Sequence, residues 1–186
     1  MIITRISAVA VAASIALLTA VAWAEDKTQK IDAGGLKFEA PASWKSTPPK
    51  SQMRRAQLVL QPVAGDKQPA ELVVFAFPGG AGGVEANVTR WASQFQDDKG
   101  NPPTPKTETR KGKNVDVTYV QISGHYVAPL QPGSDKKFDE PNYMLLGAIV
   151  LTDEAGYFLK MVGPEKTMKT ATKDFDALVK SMETAN

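Results

Sequence analysis

Hydrophobic residues along this chain follow two periods, and the change from one to the other falls within residues 71–95, ELVVFAFPGGAGGVEANVTRWASQF. Residues 72–77 form an apolar run, with the strand formers Val73, Val74, Phe75 and Phe77. A run that is apolar on both faces predicts a strand covered on both sides, in the middle of its sheet. Pro78 cannot donate to a ladder and closes it. Gly79, Gly80, Gly82 and Gly83 then let the chain turn. Val84, Val88, Trp91 and Phe95 follow at helical spacing and predict one apolar stripe, a lid over the strand around Phe75.

The flanking segments carry the alternation of strands. Residues 36–40 form a short strand with Leu36 and Phe38 on one face, ended by Pro41, and Trp44 is placed to cap the core. Residues 46–50 hold Pro48-Pro49 and read as a loop. Residues 53–61 alternate, Ala56, Leu58 and Leu60 against Arg55, Gln57, Val59 and Gln61, so one face is expected to be wet. Residues 62–69 make a short link, which requires an antiparallel pair. After the central helix, 96–105 is a surface loop and 106–110 a thin polar edge strand. In 114–126, Val115, Val117 and Tyr119 alternate before Val120 and Ile122 take over, which implies either a bulge or a strand covered on both faces. Residues 127–142 are expected to be the longest loop, and loops of that length carry function or mobility. Residues 143–152 and 157–162 form a hairpin around Asp153-Glu154-Ala155-Gly156. Residues 170–183 form the last helix, with Ala171, Phe175, Leu178, Val179 and Met182 as its stripe. Strands, helix, strands and helix with hairpin links predict an α+β fold: an antiparallel six- or seven-stranded sheet with a helix packed on each face.

The first residues stand outside this pattern. Arg5 precedes a continuous apolar and small-residue run, and Ala22-Trp23-Ala24 fits a small-x-small cleavage site. Residues 1–24 therefore read as an export signal cleaved between Ala24 and Glu25, touching the membrane only before cleavage. Residues 25–33 follow as a flexible segment, and residues 34–184 as one domain. Among 186 residues, 22 are Lys or Arg and 20 are Asp or Glu, so no strong field favours nucleic acid or an acidic membrane. There is no cysteine. That removes disulfides, thiol catalysis, iron–sulfur ligation, covalent haem attachment and a lipoprotein anchor.

Three pieces in order resemble the PsbP-like superfamily, most nearly its exported bacterial members. They are Phe38-Glu39-Ala40-Pro41-Ala42-Ser43-Trp44, the strand Tyr157-Phe158-Leu159-Lys160-Met161-Val162-Gly163 of the hairpin, and a terminal helix bearing Phe175, Leu178 and Ser181. That superfamily has an α/β/α sandwich, found in the extrinsic PsbP subunit of the oxygen-evolving complex and in the nuclear-import factor that binds the GTPase Ran. The resemblance implies the same fold and an accessory or protein-binding role. It carries over no photosystem-binding or Ran-binding residue, and fold alone does not transfer function.

Candidate chemistry is sparse. The loop 78–83 precedes a helix start, where backbone N–H groups can hold an anion. No Lys-Ser/Thr follows it, however, and Glu85 already complements the helix dipole, so a flexible connection is expected. Trp91 is read as core and Arg90 as a salt-bridge partner. His125 is the only histidine. Ser123 shares its face, but two residues along a strand place the side chains about 7 Å apart, too far for a direct bond, and no G-x-S-x-G elbow appears. Asp135, Asp139 and Glu140 share a loop without EF-hand spacing. Asn87-Val88-Thr89 matches a glycosylation acceptor but lies in the central helix. Asp97-Asp98 and Asp153-Glu154 solvate turns, with no sugar-binding aromatic row beside them.

No catalytic, cofactor or metal residue is assigned. The expected role is an exported, non-catalytic accessory or protein-binding domain, with an unidentified protein as partner and the loops at 127–142 and 78–83 as first contacts. The alternatives are a small hydrolase using His125 and a small-ligand or lipid carrier with its pocket between sheet and helix.

Overall fold

The computed structural model of the protein describes residues 28–131 and 133–184; the expected signal segment lies outside them. In chain order the elements are β1 (Thr28–Asp32), β2 (Leu36–Pro41), β3 (Lys45–Ser46), β4 (Arg54–Leu60), β5 (Ala70–Pro78), α1 (Val84–Ala92), β6 (Phe95–Gln96), β7 (Lys106–Lys111), β8 (Asp116–Tyr126), β9 (Glu140–Leu151), β10 (Ala155–Pro164), α2 (Glu165–Ser181) and β11 (Glu183–Thr184). The main sheet runs β3-β4-β5-β10-β9-β8-β6, with β7 sharing the outer edge of β8 with β6. Every pairing in it is antiparallel, and a helix packs on each face, the α/β/α arrangement expected.

β5 lies between β4 and β10, as its unbroken apolar run predicts. Leu72 and Val74 point to the α2 side with Leu159, Met161, Leu146, Ala148, Val117 and Tyr119, against Met168, Ala171, Phe175 and Leu178 of α2. The shift of phase at Val120 reflects a strand covered on both faces: Val117 and Tyr119 face the α2 core, Val120 and Ile122 the α1 core. A bulge does occur in β8, but further on, between Gly124 and Tyr126.

Several elements differ from the sequence reading. β2 does not join the main sheet. It pairs with β1 and β11 in a separate three-stranded sheet that completes the α2-side core through Leu36, Phe38, Ala40 and Trp44. Residues from Thr28 onward, expected in a flexible segment, form β1. α2 begins at Glu165 rather than at residue 170. Its first turn has few apolar residues to show a period. It is secured from a distance, because Asp66 Oδ2 accepts from the backbone N–H of Thr167 at 2.8 Å and from its hydroxyl at 2.6 Å. The 127–142 segment is no open loop: Phe138 donates to the Ala128 carbonyl and Leu130 to that of Lys136, so β8 and β9 continue as a hairpin arm.

The lid also sits elsewhere than the helical stripe predicts. α1 ends at Ala92, and Phe95 belongs to β6. Trp91 stands on Gly147 of β9, not over Phe75: a Cβ built at Gly147 would lie 2.4 Å from Trp91 Cζ3. The α1-side core is thus Trp91, Ala92 and Phe95 against Val120, Ile122, Leu145, Ile149 and Phe158, while Phe75 and Phe77 are only partly buried at its margin. On the opposite side, Arg110 of β7 pairs with Asp176 of α2 and lies 3.4 Å from the centroid of the Tyr119 ring, closing the seam between helix and edge strand. Gly147→Ala is expected to force the indole off the sheet and cost about 1–3 kcal/mol in urea denaturation. An unchanged midpoint would show that the indole does not need bare backbone there.

Candidate functional site

α1 is nine residues long and lies toward the β8–β9 side of its face. On the rest of that face the apolar side chains of Phe75, Phe77, Val162 and Tyr143 remain partly accessible, and polar groups stand among them. Alternation along β4 places Gln57 here, expected to be wet yet only 2 % exposed. Its amide donates to Glu71 Oε1 at 2.8 Å and its carbonyl oxygen accepts from Arg54 Nη1 at 2.8 Å. Glu71 also pairs with Lys50 at 2.9 Å and with Arg54 at 3.5 Å.

Lys160 is the only charged residue of β10, and its cross-strand neighbours are Val73 and Gly147. Its ammonium donates to Gln94 Oε1 and lies 5.5 Å from the centroid of the Tyr126 ring. Among the described residues it has no ion pair. Burial first, then the like charges of Arg90 and Arg54, push it down to about 8, against a smaller opposing pull from Glu71. Burial likewise pushes the Tyr126 hydroxyl up to about 12. Tyr126 stacks on Tyr143 at 5.8 Å and tilts against Phe138 at 5.1 Å, joining the hairpin arm to this face. The sequence signal for Lys160 is a lone lysine inside an apolar strand run, one that periodicity alone does not mark as a site.

The second half of the glycine loop is tied to α1 by a side chain. The Asn87 side chain, 1 % exposed, donates to the carbonyls of Ala81 at 3.0 Å and Gly83 at 2.9 Å, and its oxygen accepts from Arg90. A buried amide with this many bonds is no glycosylation acceptor in the folded chain, and Arg90 answers an amide rather than the expected acidic partner. The clue was an asparagine spaced with Val84 and Trp91 on the helix. Gly79, Gly80 and Gly82 adopt positive φ of 71°, 86° and 81°, which explains the glycines without an anion.

The remaining candidates do not assemble. His125 Nε2 lies 2.5 Å from Asp139 Oδ1, but without hydrogen-bond geometry, and the Asp139 side chain is 89 % exposed. Ser123 is exposed, and neither it nor His125 lines the two best-formed clefts, which lie at the β1–β2 surface and at the β7–β8 turn. Asp135, Asp139 and Glu140 form no metal-ligating group among the described residues, nor do the pairs at 97–98 and 153–154. Asp97 instead caps its own turn, accepting from the N–H of Lys99 and of Asn101 at 2.9 Å each.

No family model matches the chain, and no curated protein does. Among solved structures it is similar to cyanobacterial PsbP (CyanoP) from Synechocystis sp. PCC 6803, at 14% identity and a TM-score of 0.54, over 91% of this chain and 99% of that one. The chain therefore has the PsbP-like fold, as the resemblance implied.

Two outcomes are expected at this face. Asn87→Ala should destabilise by about 1–3 kcal/mol and speed amide exchange in the glycine loop; unchanged exchange would mean the loop is set by its glycines alone. Lys160 gives up its proton near pH 8 in the folded chain and near about 10.4 when unfolded. The unfolded state therefore binds more protons in that window, so stability climbs with pH from 8 toward 10. Above about pH 10 the Tyr119 and Tyr126 hydroxyls, both pushed up to about 12, act in the opposite sense. Lys160→Met should stabilise at neutral pH by about 1 kcal/mol or more and flatten the climb. A destabilised variant would mean the ammonium is a net asset to the fold.

Proposed function

We propose that the protein is a non-catalytic accessory domain of the exported bacterial kind, cleaved between Ala24 and Glu25 and binding a protein partner in the periplasm or outside the cell. The observation that carries this reading is the tip of the hairpin arm. Leu130 and Phe138 are 47% and 36% exposed there, and Phe138 packs on Tyr126, which continues into the part-open α1-side face. An apolar tip joined to an accessible sheet face suits recognition of another protein surface. The PsbP-like fold supports the reading, since the resemblance implies accessory and protein-binding roles. Neither alternative gains support: among the described residues His125 Nε2 has no hydrogen-bond partner, and the two best-formed clefts lie away from the space between sheet and α1.

The test is capture from the exported fraction of native cells on the immobilised protein. The pair Leu130→Asp and Phe138→Asp removes the apolar groups of the tip; because Phe138 packs on Tyr126, the thermal midpoint should drop by a few degrees with the fold kept, while the amount of the saturable partner falls about tenfold or more. Equal capture by the folded double variant would remove the arm from the binding surface and this reading with it.

A further inference from the structure

Lys160 is an anomaly that packing does not explain. The register places it between Val73 and Gly147 on a sheet face whose other floor residues are Phe75, Phe77 and Val162. Drawing an ammonium partly out of water with no counterion is costly, and an apolar residue of the same length would avoid the cost. Glu71 does not serve as that counterion, because Lys50, Arg54 and Gln57 already engage it. Arg90 and Arg54 add positive charge to the same neighbourhood. The groups facing Lys160 are thus two guanidiniums, one occupied carboxylate, the Gln94 amide and the Tyr126 ring.

Resting on the proposed accessory role, we infer that Lys160, with Arg90 and Arg54 beside it, is the receptor for a carboxylate of the protein partner. The ligand is an Asp or Glu side chain borne on a short apolar segment that lies against Phe75, Phe77, Val162 and Tyr143. Arg54 is already matched by Glu71, and Arg90 is exposed, where solvent screens it. The charge left unmet at the part-buried point is therefore close to one, which suits a carboxylate better than a phosphate dianion. Inside this face, an arriving carboxylate meets a donor with no ion pair to break. That makes the recognition depend on Lys160 more than on the outer arginines.

The full chain, with its lysine side chains isotopically labelled for NMR, is titrated with N-acetyl-Phe-Glu-Phe-amide, its Phe-Gln-Phe counterpart, sodium acetate and inorganic phosphate. The Glu peptide is expected to shift the Lys160 ε-signals saturably and to raise their titration midpoint by about one unit. The Gln peptide, acetate and phosphate should bind at least about tenfold more weakly. Lys160→Met and Arg90→Gln should weaken the Glu peptide, the first more than the second, whereas Lys37→Met on β2 should not. Equal binding of both peptides, or acetate or phosphate binding as tightly as the Glu peptide, overturns the proposal. Should Lys160→Met not fold, the Lys160 signals of the wild-type chain and the exposed Arg90→Gln substitution decide the matter alone. No cellular partner enters this titration, and the arm variants above do not touch Lys160, so either idea can fail without the other.

Discussion

The contact of the Trp91 indole with bare backbone at Gly147 governs one whole side of the molecule. A helix approaches a sheet this closely only where one residue has no side chain, so the position of that glycine decides where α1 is seated. It lies in β9, toward one flank of the sheet, and α1 has only nine residues with which to spread from there. α2, at 17 residues and helped by the small sheet of β1, β2 and β11, covers its own side far more completely. The two faces therefore differ in kind: one is a finished core, the other a core that grades into accessible surface.

That gradation gives the polar groups of the open side their meaning. The Gln57–Glu71–Arg54 set is internally satisfied and behaves as a structural network, each member bonded to another. Lys160 is not satisfied in the same way. A residue that costs stability where it stands and is surrounded by like charge is the pattern expected when a site serves something other than the fold. The same contrast separates Asn87 from the rest: its N–H groups turn inward to the glycine loop and its oxygen is taken up by Arg90, which makes it a fastener and not a contact.

Much of this architecture was legible in the sequence because the two periods are strong. The unbroken run at 72–77 identified an interior strand, and the hairpin around residues 153–156 and the Phe175 stripe were plain. What stayed hidden depended on distant partners. The first turn of α2 has little apolar periodicity and is capped by Asp66, so no local pattern marked its start. β1 is polar at every position but Ile31 and becomes a strand only because β2 is available to pair with. The lid was misplaced since periodicity reports which side of a helix is apolar but not which strand it meets; Gly147 held that information. Of the candidate site, Arg90 and the arm stand out in the sequence but Lys160 does not, because its surroundings come from β4, β5, β8, β9 and α1 together.

The strand order has a kinetic corollary. β5 finds its inner neighbour in β10, so residues 70–78 must wait for residues 155–164 before the middle of the sheet can zip. Asp66 and Thr167, 101 positions apart, need a closure of comparable span. Closing such a wide loop is slow compared with forming a local hairpin. A nascent chain built this way cannot close the middle of its sheet until residues 155–164 have been made, so through that interval β4 and β5 are a hairpin without the neighbour that will bury them.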